Sequence, residues 1–351
     1  KGLTSRALIV YGAGYNGSVF PQLLTSKESA ERVGVLLELF GDYQESDGNW
    51  HDDPKTDNYY DLVAYRNRND LSSAFESLKS EVVQDKVDFV LVYYVGHGIE
   101  DTEGADFVVP GSCRSANSNE IHGKCDSVVD LVNQVVGLRC SKRVVIVDSC
   151  RDKPPAGGKP CFWGRLFGRK KTSPDLSDVF KAVKSDGRHL QVYFSTQQGT
   201  ESNGSSANVL TPWDPLNDNF SRRTKEENLT FLSRSFYQSV AGSPGAETGD
   251  VLRGTARYLK KISGQSVDPL EGVYSEDPVL QLNHISTGQI KRWKEYRAQT
   301  PKGGLNKLRD VFQNKYFQGR SRYNDWEVSQ PKLNGWSVGH LEACYRNLAA
   351  L

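Results

Sequence analysis

Two side chains able to do covalent chemistry stand in matching places along the chain. His97 lies just past the apolar run 87–95, within Tyr93-Tyr94-Val95-Gly96-His97-Gly98, and Cys150 lies just past the run 143–148, within Val147-Asp148-Ser149-Cys150-Arg151-Asp152. A thiol at neutral pH is only slightly ionised. It becomes an effective nucleophile when an imidazole takes its proton, and the same imidazole can later protonate a leaving amine. The glycines flanking His97 let backbone approach a substrate closely, and the amides of Gly98 and Cys150 could together hold a developing oxyanion. Each signal alone has a plainer reading, an inert buried thiol for the one and a turn with a solvated imidazole for the other. Their joint placement at two strand ends, where open α/β sheets bind ligands, points to a cysteine–histidine dyad.

Such a dyad requires the two apolar runs to be neighbouring parallel strands, and the surrounding pattern supplies the rest of the sheet. Runs at 6–11, 61–66, 87–95, 143–148 and 190–195 read as strands, with a short one at 105–110 and a last one at 278–282. Amphipathic stretches at 27–40, 70–83 and 126–136 read as crossover helices, the first opened by a capping box Thr25…Glu28 and ended by Gly41. Two more helices are expected at 229–240 and 250–262. Segments 42–58, 151–188 and 197–228 are rich in turn formers and read as loops, the second with one helical turn group near 176–183. One domain is expected over 1–283. Beyond it, 284–351 is basic and aromatic and reads as a helical extension of unknown role, too rich in large apolar side chains to be disordered.

The pair of motifs, Tyr-Tyr-x-Gly-His-Gly on one strand and Asp-Ser-Cys-Arg-Asp at the end of the next, resembles the caspase/metacaspase/paracaspase superfamily of cysteine peptidases, nearest to its metacaspase-like and bacterial-type members. The resemblance covers about residues 4–283 in element order. It implies a three-layer α/β sandwich with a central, mostly parallel sheet flanked by helices, followed by a C-terminal extension. It also implies a cysteine endopeptidase in which Cys150 and His97 form the dyad and Gly98 shares the oxyanion hole. Asp148 would then contribute to the pocket for the P1 side chain and favour Arg or Lys there, the alternative being that it only caps neighbouring backbone amides. Glu28, Ser29, Val95 and Ser195 fall at positions matching the same pocket. The pocket departs from the metacaspase pattern in two places, since Glu28-Ser29-Ala30 stands where an Asn-Asp-Ala-like stretch is usual and Val95 stands where Ser is usual.

In this superfamily the segment after the nucleophile is a common site of self-cleavage, and here it carries Arg165, Arg169, Lys170 and Lys171. An exposed basic run is what a protease with an acidic pocket would cut, so autoprocessing within 165–171 is an expectation; a merely solvated charged loop is the plainer reading. Many metacaspases are activated by calcium. Asp101, Glu103 and Asp106 lie in the corresponding region, but Ser118-Asn119-Glu120 replaces the later paired aspartates, which weighs against calcium, and no resident cofactor is expected.

Composition narrows the remaining classes. With 44 basic against 43 acidic residues there is no net field to attract nucleic acid or an anionic membrane. The longest strongly apolar stretch is far shorter than the roughly 20 residues that cross a bilayer. Six cysteines lie scattered, with no CxxC pair and no histidine at metal-ligand spacing, so zinc is not expected and a reducing, cytoplasmic setting is. The expected partners are protein or peptide substrates, with an activating partner or ligand as a further expectation. A different class stays open at this point, a pseudoenzyme or signalling scaffold that uses the same fold to bind proteins.

Overall fold

The computed structural model describes residues 4–41, 43–46, 58–150, 176–185, 189–195, 204–210, 224–242 and 248–263 of the 351-residue chain. In chain order the first elements are β1 (Ser5–Gly12), α1 (Leu24–Gly41), β2 (Gln44–Glu45), β3 (Tyr59–Tyr65), α2 (Arg68–Gln84) and β4 (Phe89–Val95). Next come β5 (Gly98–Glu100), β6 (Asp106–Val108), α3 (Ser118–Lys124), β7 (Asp126–Ser127), α4 (Val128–Gly137) and β8 (Lys142–Asp148). The last described are α5 (Leu176–Ser185), β9 (His189–Phe194), β10 (Gly204–Leu210), β11 (Thr224–Thr230), α6 (Phe231–Gly242) and α7 (Thr248–Ser263).

Six strands form one sheet in the order β2-β3-β1-β4-β8-β9, and every neighbouring pair is parallel. Apolar runs explain the central position of β4 and β8. A parallel strand covered on both faces must be apolar throughout, and Phe89–Val95 is buried at every residue. The period of two divides the core. Leu8, Val10, Val92, Tyr94, Val145 and Val147 point to one face, where they meet Leu71, Phe75 and Leu78 of α2, Leu131, Val132 and Val135 of α4 and Val179 of α5. The opposite face packs against α1 and α6, as the stacking of Tyr93 on Phe236 at 6.0 Å shows. Each fully buried Val, Leu or Ile contributes about 1.5–3 kcal/mol relative to exposure, so two such faces fix the strand order and register firmly.

A second, antiparallel sheet of β5, β6 and β7 follows directly from the end of β4. It carries its own small core of Tyr15, Ile99, Phe107, Val109, Cys113, Ile121 and Cys125. That core sits behind His97, because Tyr15 packs edge-on against the imidazole.

Several expectations are corrected by the structure. The first helix begins at Leu24, so Thr25 lies inside its first turn and not at the expected N-cap position. A capping box does open α2, where the Asn67 side chain accepts from the first turn and the Asp70 carboxylate accepts the Asn67 N–H at 2.9 Å. The loop expected over 42–58 contains the edge strand β2, and its residues 47–57 lie outside the described residues. The helix expected from 126 begins at Val128, because Asp126 and Ser127 first pair with β6 and Ser127 then caps α4 through Asp130 N–H at 3.0 Å. Helix α3, seven residues capped by the Asn117 side chain through the Glu120 N–H at 2.8 Å, is not among the expected helices. The turn group near 176–183 is a ten-residue helix. The largest correction concerns 197–228, expected as a loop, where β10 and β11 pair antiparallel over seven residues each. Neither strand carries a clean alternation of apolar residues, and backbone pairing needs none. The strand expected at 278–282 and the extension 284–351 lie outside the described residues. No helix among the described residues is long and apolar enough to cross a membrane.

Candidate active site

Strands β4 and β8 are adjacent and parallel, and their last paired residues are Val95 and Asp148. The Gly96 N–H extends the ladder by donating to the Asp148 carbonyl at 3.1 Å. His97 and Cys150 therefore leave the sheet at the same level, each two residues beyond the final pair. Gly98 closes the gap between the two segments. A Cβ placed on it would stand 2.3 Å from the Cys150 carbonyl oxygen and 2.8 Å from the Ser149 Cβ, so only glycine lets the strand after His97 lie directly on the Ser149-Cys150 backbone. Cys150 carries a reduced thiol and is partly exposed.

His97 is fixed on several sides. Its Nε2 lies 2.7 Å from the Pro21 carbonyl oxygen. A carbonyl can only accept, so Nε2 carries the hydrogen and Nδ1 is the basic nitrogen of the neutral ring. Tyr15 stands edge-on to the ring at 4.7 Å and Phe20 is tilted against it at 5.4 Å. The His97 carbonyl accepts from the Tyr94 hydroxyl at 2.7 Å and from the Val109 N–H at 3.0 Å. Burial and the neighbouring Tyr15 and Tyr65 push the Tyr94 hydroxyl well above its usual pKa, so it remains a donor throughout the working pH range. Burial also lowers the His97 pKa below its ordinary value, opposed in part by the bond to Pro21. The result is a neutral, oriented base that can accept a thiol proton.

Asp148 is only 1% exposed. Its Oδ2 accepts the Tyr93 hydroxyl at 3.2 Å and also the hydroxyl of Thr230. Thr230 N–H in turn donates to Ser29 Oγ at 3.0 Å, and the Ser233 hydroxyl lies 2.9 Å from the same Ser29 oxygen. Strand β8, the start of α1 and the β11–α6 junction thus converge on one buried carboxylate. Of the residues expected around it, Ser29 joins this hydroxyl chain, Val95 pairs with Asp148 across the sheet and is buried, and Glu28 is partly exposed beside Ser29 on α1. Ser195 is buried at the end of β9 and donates to the Ser149 carbonyl at 3.3 Å, which braces the backbone just before Cys150. Arg165, Arg169, Lys170 and Lys171 lie outside the described residues.

Of the acidic residues in the region that corresponds to the calcium site, Asp101 is held by its own loop. Asp101 Oδ1 accepts the N–H groups of Glu103 and Ala105 at 2.9 and 2.8 Å, and Oδ2 lies 3.3 Å from His122 Nε2. Among the described residues no group of three or more His, Cys, Asp or Glu side chains is arranged to hold a metal ion.

Pro21, Tyr15, Tyr93, Tyr94 and Thr230 were not assigned roles from sequence. Tyr93 and Tyr94 stand in the histidine motif and could have been suspected as hydrogen-bond donors, whereas Tyr15 and Thr230 stand far from either motif. Pro21 contributes a backbone oxygen, which any residue supplies, so no residue type marks it.

An arrangement of imidazole, partly exposed thiol and adjacent glycine amide at the carboxyl ends of two parallel strands suits acyl transfer through a thioester. No curated protein matches the chain in sequence. A family model of the caspase domain, from a family of cysteine peptidases, matches residues 6–267, which contain the whole described fold but Ser5 of β1 and both strand-end motifs. With that match covering most of the chain, and with the mostly parallel sheet flanked by helices that the domain requires, the chain belongs to the caspase-domain family of cysteine peptidases.

Proposed function

We propose that the chain is a cysteine endopeptidase in which Cys150 is the nucleophile and His97 the acid and base. The observation that carries this reading is the shared exit level of His97 and Cys150, with Gly98 packed on the Cys150 backbone and Nε2 tied to Pro21. His97 Nδ1 takes the thiol proton as sulfur attacks the scissile carbonyl carbon, and the oxyanion is held by the amides of Gly98 and Cys150. The imidazolium then protonates the leaving amine, and a thioester remains on Cys150. Water attacks the thioester, again losing its proton to Nδ1, and the thiol is restored as the acid product departs. A thiol-reactive peptidyl-Arg probe tests the assignment. Labelling of Cys150 that disappears in His97→Ala is expected; an unlabelled wild-type chain would instead favour a scaffold.

The lowered His97 pKa sets the direction of the pH response. The base works only when neutral, so kcat/KM rises as pH rises through the His97 titration, and the acid limb should have its midpoint below the ordinary imidazole value of about 6.5. A midpoint above 6.5 in a pH–rate profile would remove His97 from the role of neutral base.

Asp148 selects Arg or Lys at P1, because a fixed buried carboxylate beside the nucleophile pairs with a cation and leaves other side chains with an unpaired charge to face. A P1-diverse peptide library should show cleavage after Arg and Lys, and Asp148→Asn should lower kcat/KM for those substrates by about 10- to 150-fold, the range of a charged hydrogen bond. The same preference directs self-cleavage to 165–171. Purified wild-type chain should acquire a break there that Cys150→Ala lacks, and a wild-type chain that stays intact under conditions where it cleaves peptides would exclude autoprocessing.

A further inference from the structure

The hydroxyl of Thr230 comes to Asp148 from 82 residues away and from a different part of the fold. Its geometry leaves little freedom. Thr230 is the residue before α6, where its Oγ1 accepts the Ser233 N–H at 3.1 Å and so caps that helix. Its own N–H is held by Ser29 on α1 at 3.0 Å. A hydroxyl has one hydrogen, and an ionised carboxylate can only accept, so that hydrogen goes to Asp148 Oδ2. The Ser233 hydroxyl at 2.8 Å from Thr230 Oγ1 and Ser29 at 2.9 Å beyond it complete a buried chain, with Ser29 and Ser233 both at 0% exposure. Tyr93, itself stacked on Phe236, brings a second donor to the same oxygen at 3.2 Å. Its proton stays in place, because burial and the adjacent Asp148 carboxylate push the Tyr93 hydroxyl well above its usual pKa.

We infer that Thr230 is a positioning residue for the Asp148 carboxylate and thereby a determinant of specificity for a cationic P1 side chain. This rests on the reading of Asp148 as the P1 selector. Two donors aimed at one carboxylate oxygen fix both its rotamer and the location of its charge before substrate arrives. A cation entering the site then meets a charge that needs no reorganisation, while a neutral side chain of equal shape gains only uncharged hydrogen bonds from it. Tyr93 acts on the same oxygen and should show the same effect to a smaller or similar degree.

The experiment compares two peptide substrates that differ only in P1, Arg and its neutral isostere citrulline, on the full chain. Wild type should cleave the Arg peptide with the higher kcat/KM. In Thr230→Val, which keeps the shape but loses the hydroxyl, the Arg/citrulline ratio should fall about tenfold, mainly through KM for Arg, with a smaller loss for citrulline. Thr230→Ser should restore the ratio. Thr230→Val also removes the α6 cap, so Tm is measured beside the kinetics, and Tyr93→Phe, which leaves the cap intact, decides the matter if Thr230→Val does not fold. A wild-type ratio near one would overturn the P1 reading itself. A high wild-type ratio that persists in Thr230→Val, or in Tyr93→Phe where that variant decides, would overturn the positioning of Asp148 by its two hydroxyl donors and leave the P1 reading standing.

Discussion

Replacing Cys150 with Ala is expected to lower kcat for peptide hydrolysis on the order of 10⁴- to 10⁶-fold, and His97→Ala should do nearly the same. The two effects should not add. In the proposed dyad thiol and imidazole act as one unit, since the base has no proton to take without the thiol and the thiol is a poor nucleophile without the base. The double variant should therefore be no slower than either single one, within about threefold. Cys150→Ala should leave thermal stability close to wild type, because it removes one partly exposed sulfur and no large buried volume. Steady-state kinetics with a peptidyl-Arg substrate and a thermal melt on the same samples check both statements. Additive losses would mean that His97 and Cys150 work independently, and full activity in Cys150→Ala would place the nucleophile elsewhere.

Gly98→Ala is expected to lose activity by about 100-fold or more and to lose stability at the same time. The added Cβ would meet the Cys150 carbonyl oxygen at 2.3 Å and the Ser149 side chain at 2.6 and 2.8 Å. Two of these three contacts are with the backbone and Cβ of the neighbouring segment, so a rotamer change cannot relieve them. The strand after His97 must move away, at a cost of about 1–3 kcal/mol or more. That movement displaces His97 and the Gly98 amide from Cys150, and a misplacement near 1 Å is enough to lower a rate about 100-fold. Gly123→Ala supplies the control. A Cβ there meets nothing within 4 Å, and Ala favours the helix, so that variant should match or slightly exceed wild type in Tm with unchanged kinetics. Equal behaviour of the two variants would show that the Gly98 contact is not a constraint on the site.

The wild-type pH profile bears on the same geometry from another side. Burial alone lowers the His97 pKa, and the bond to Pro21 only partly offsets it. Tyr94→Phe, which removes the donor to the His97 carbonyl while leaving a ring of the same shape, changes the seat of the histidine without touching its titrating nitrogens.

Much of this was legible in the residues themselves. The apolar runs 87–95 and 143–148 could only be strands covered on both faces, and a reactive side chain at the end of each marked the proposed site. The amphipathic periods of α2 and α4 were equally plain, because a helix facing a sheet must repeat its apolar residues every three or four positions. The hairpin of β10 and β11 was not legible. Its strands read Gly-Ser-Ser-Ala-Asn-Val-Leu and Thr-Lys-Glu-Glu-Asn-Leu-Thr, with turn-forming and charged residues, and they are joined through backbone hydrogen bonds that leave no mark on side-chain pattern.

The sequence alone determined that Cys150 and His97 stand at strand ends with glycine beside the histidine, because hydrophobic periodicity and residue type are local properties. It could name Asp148 as a carboxylate two residues before Cys150 but not what surrounds it. Tertiary structure decided that the imidazole is held by Pro21 and that the carboxylate is gripped by Tyr93 and Thr230. Those contacts join groups 76, 55 and 82 residues apart. Separations of that size are set by how layers pack, and a backbone oxygen or a single hydroxyl carries no signature of the partner it will meet.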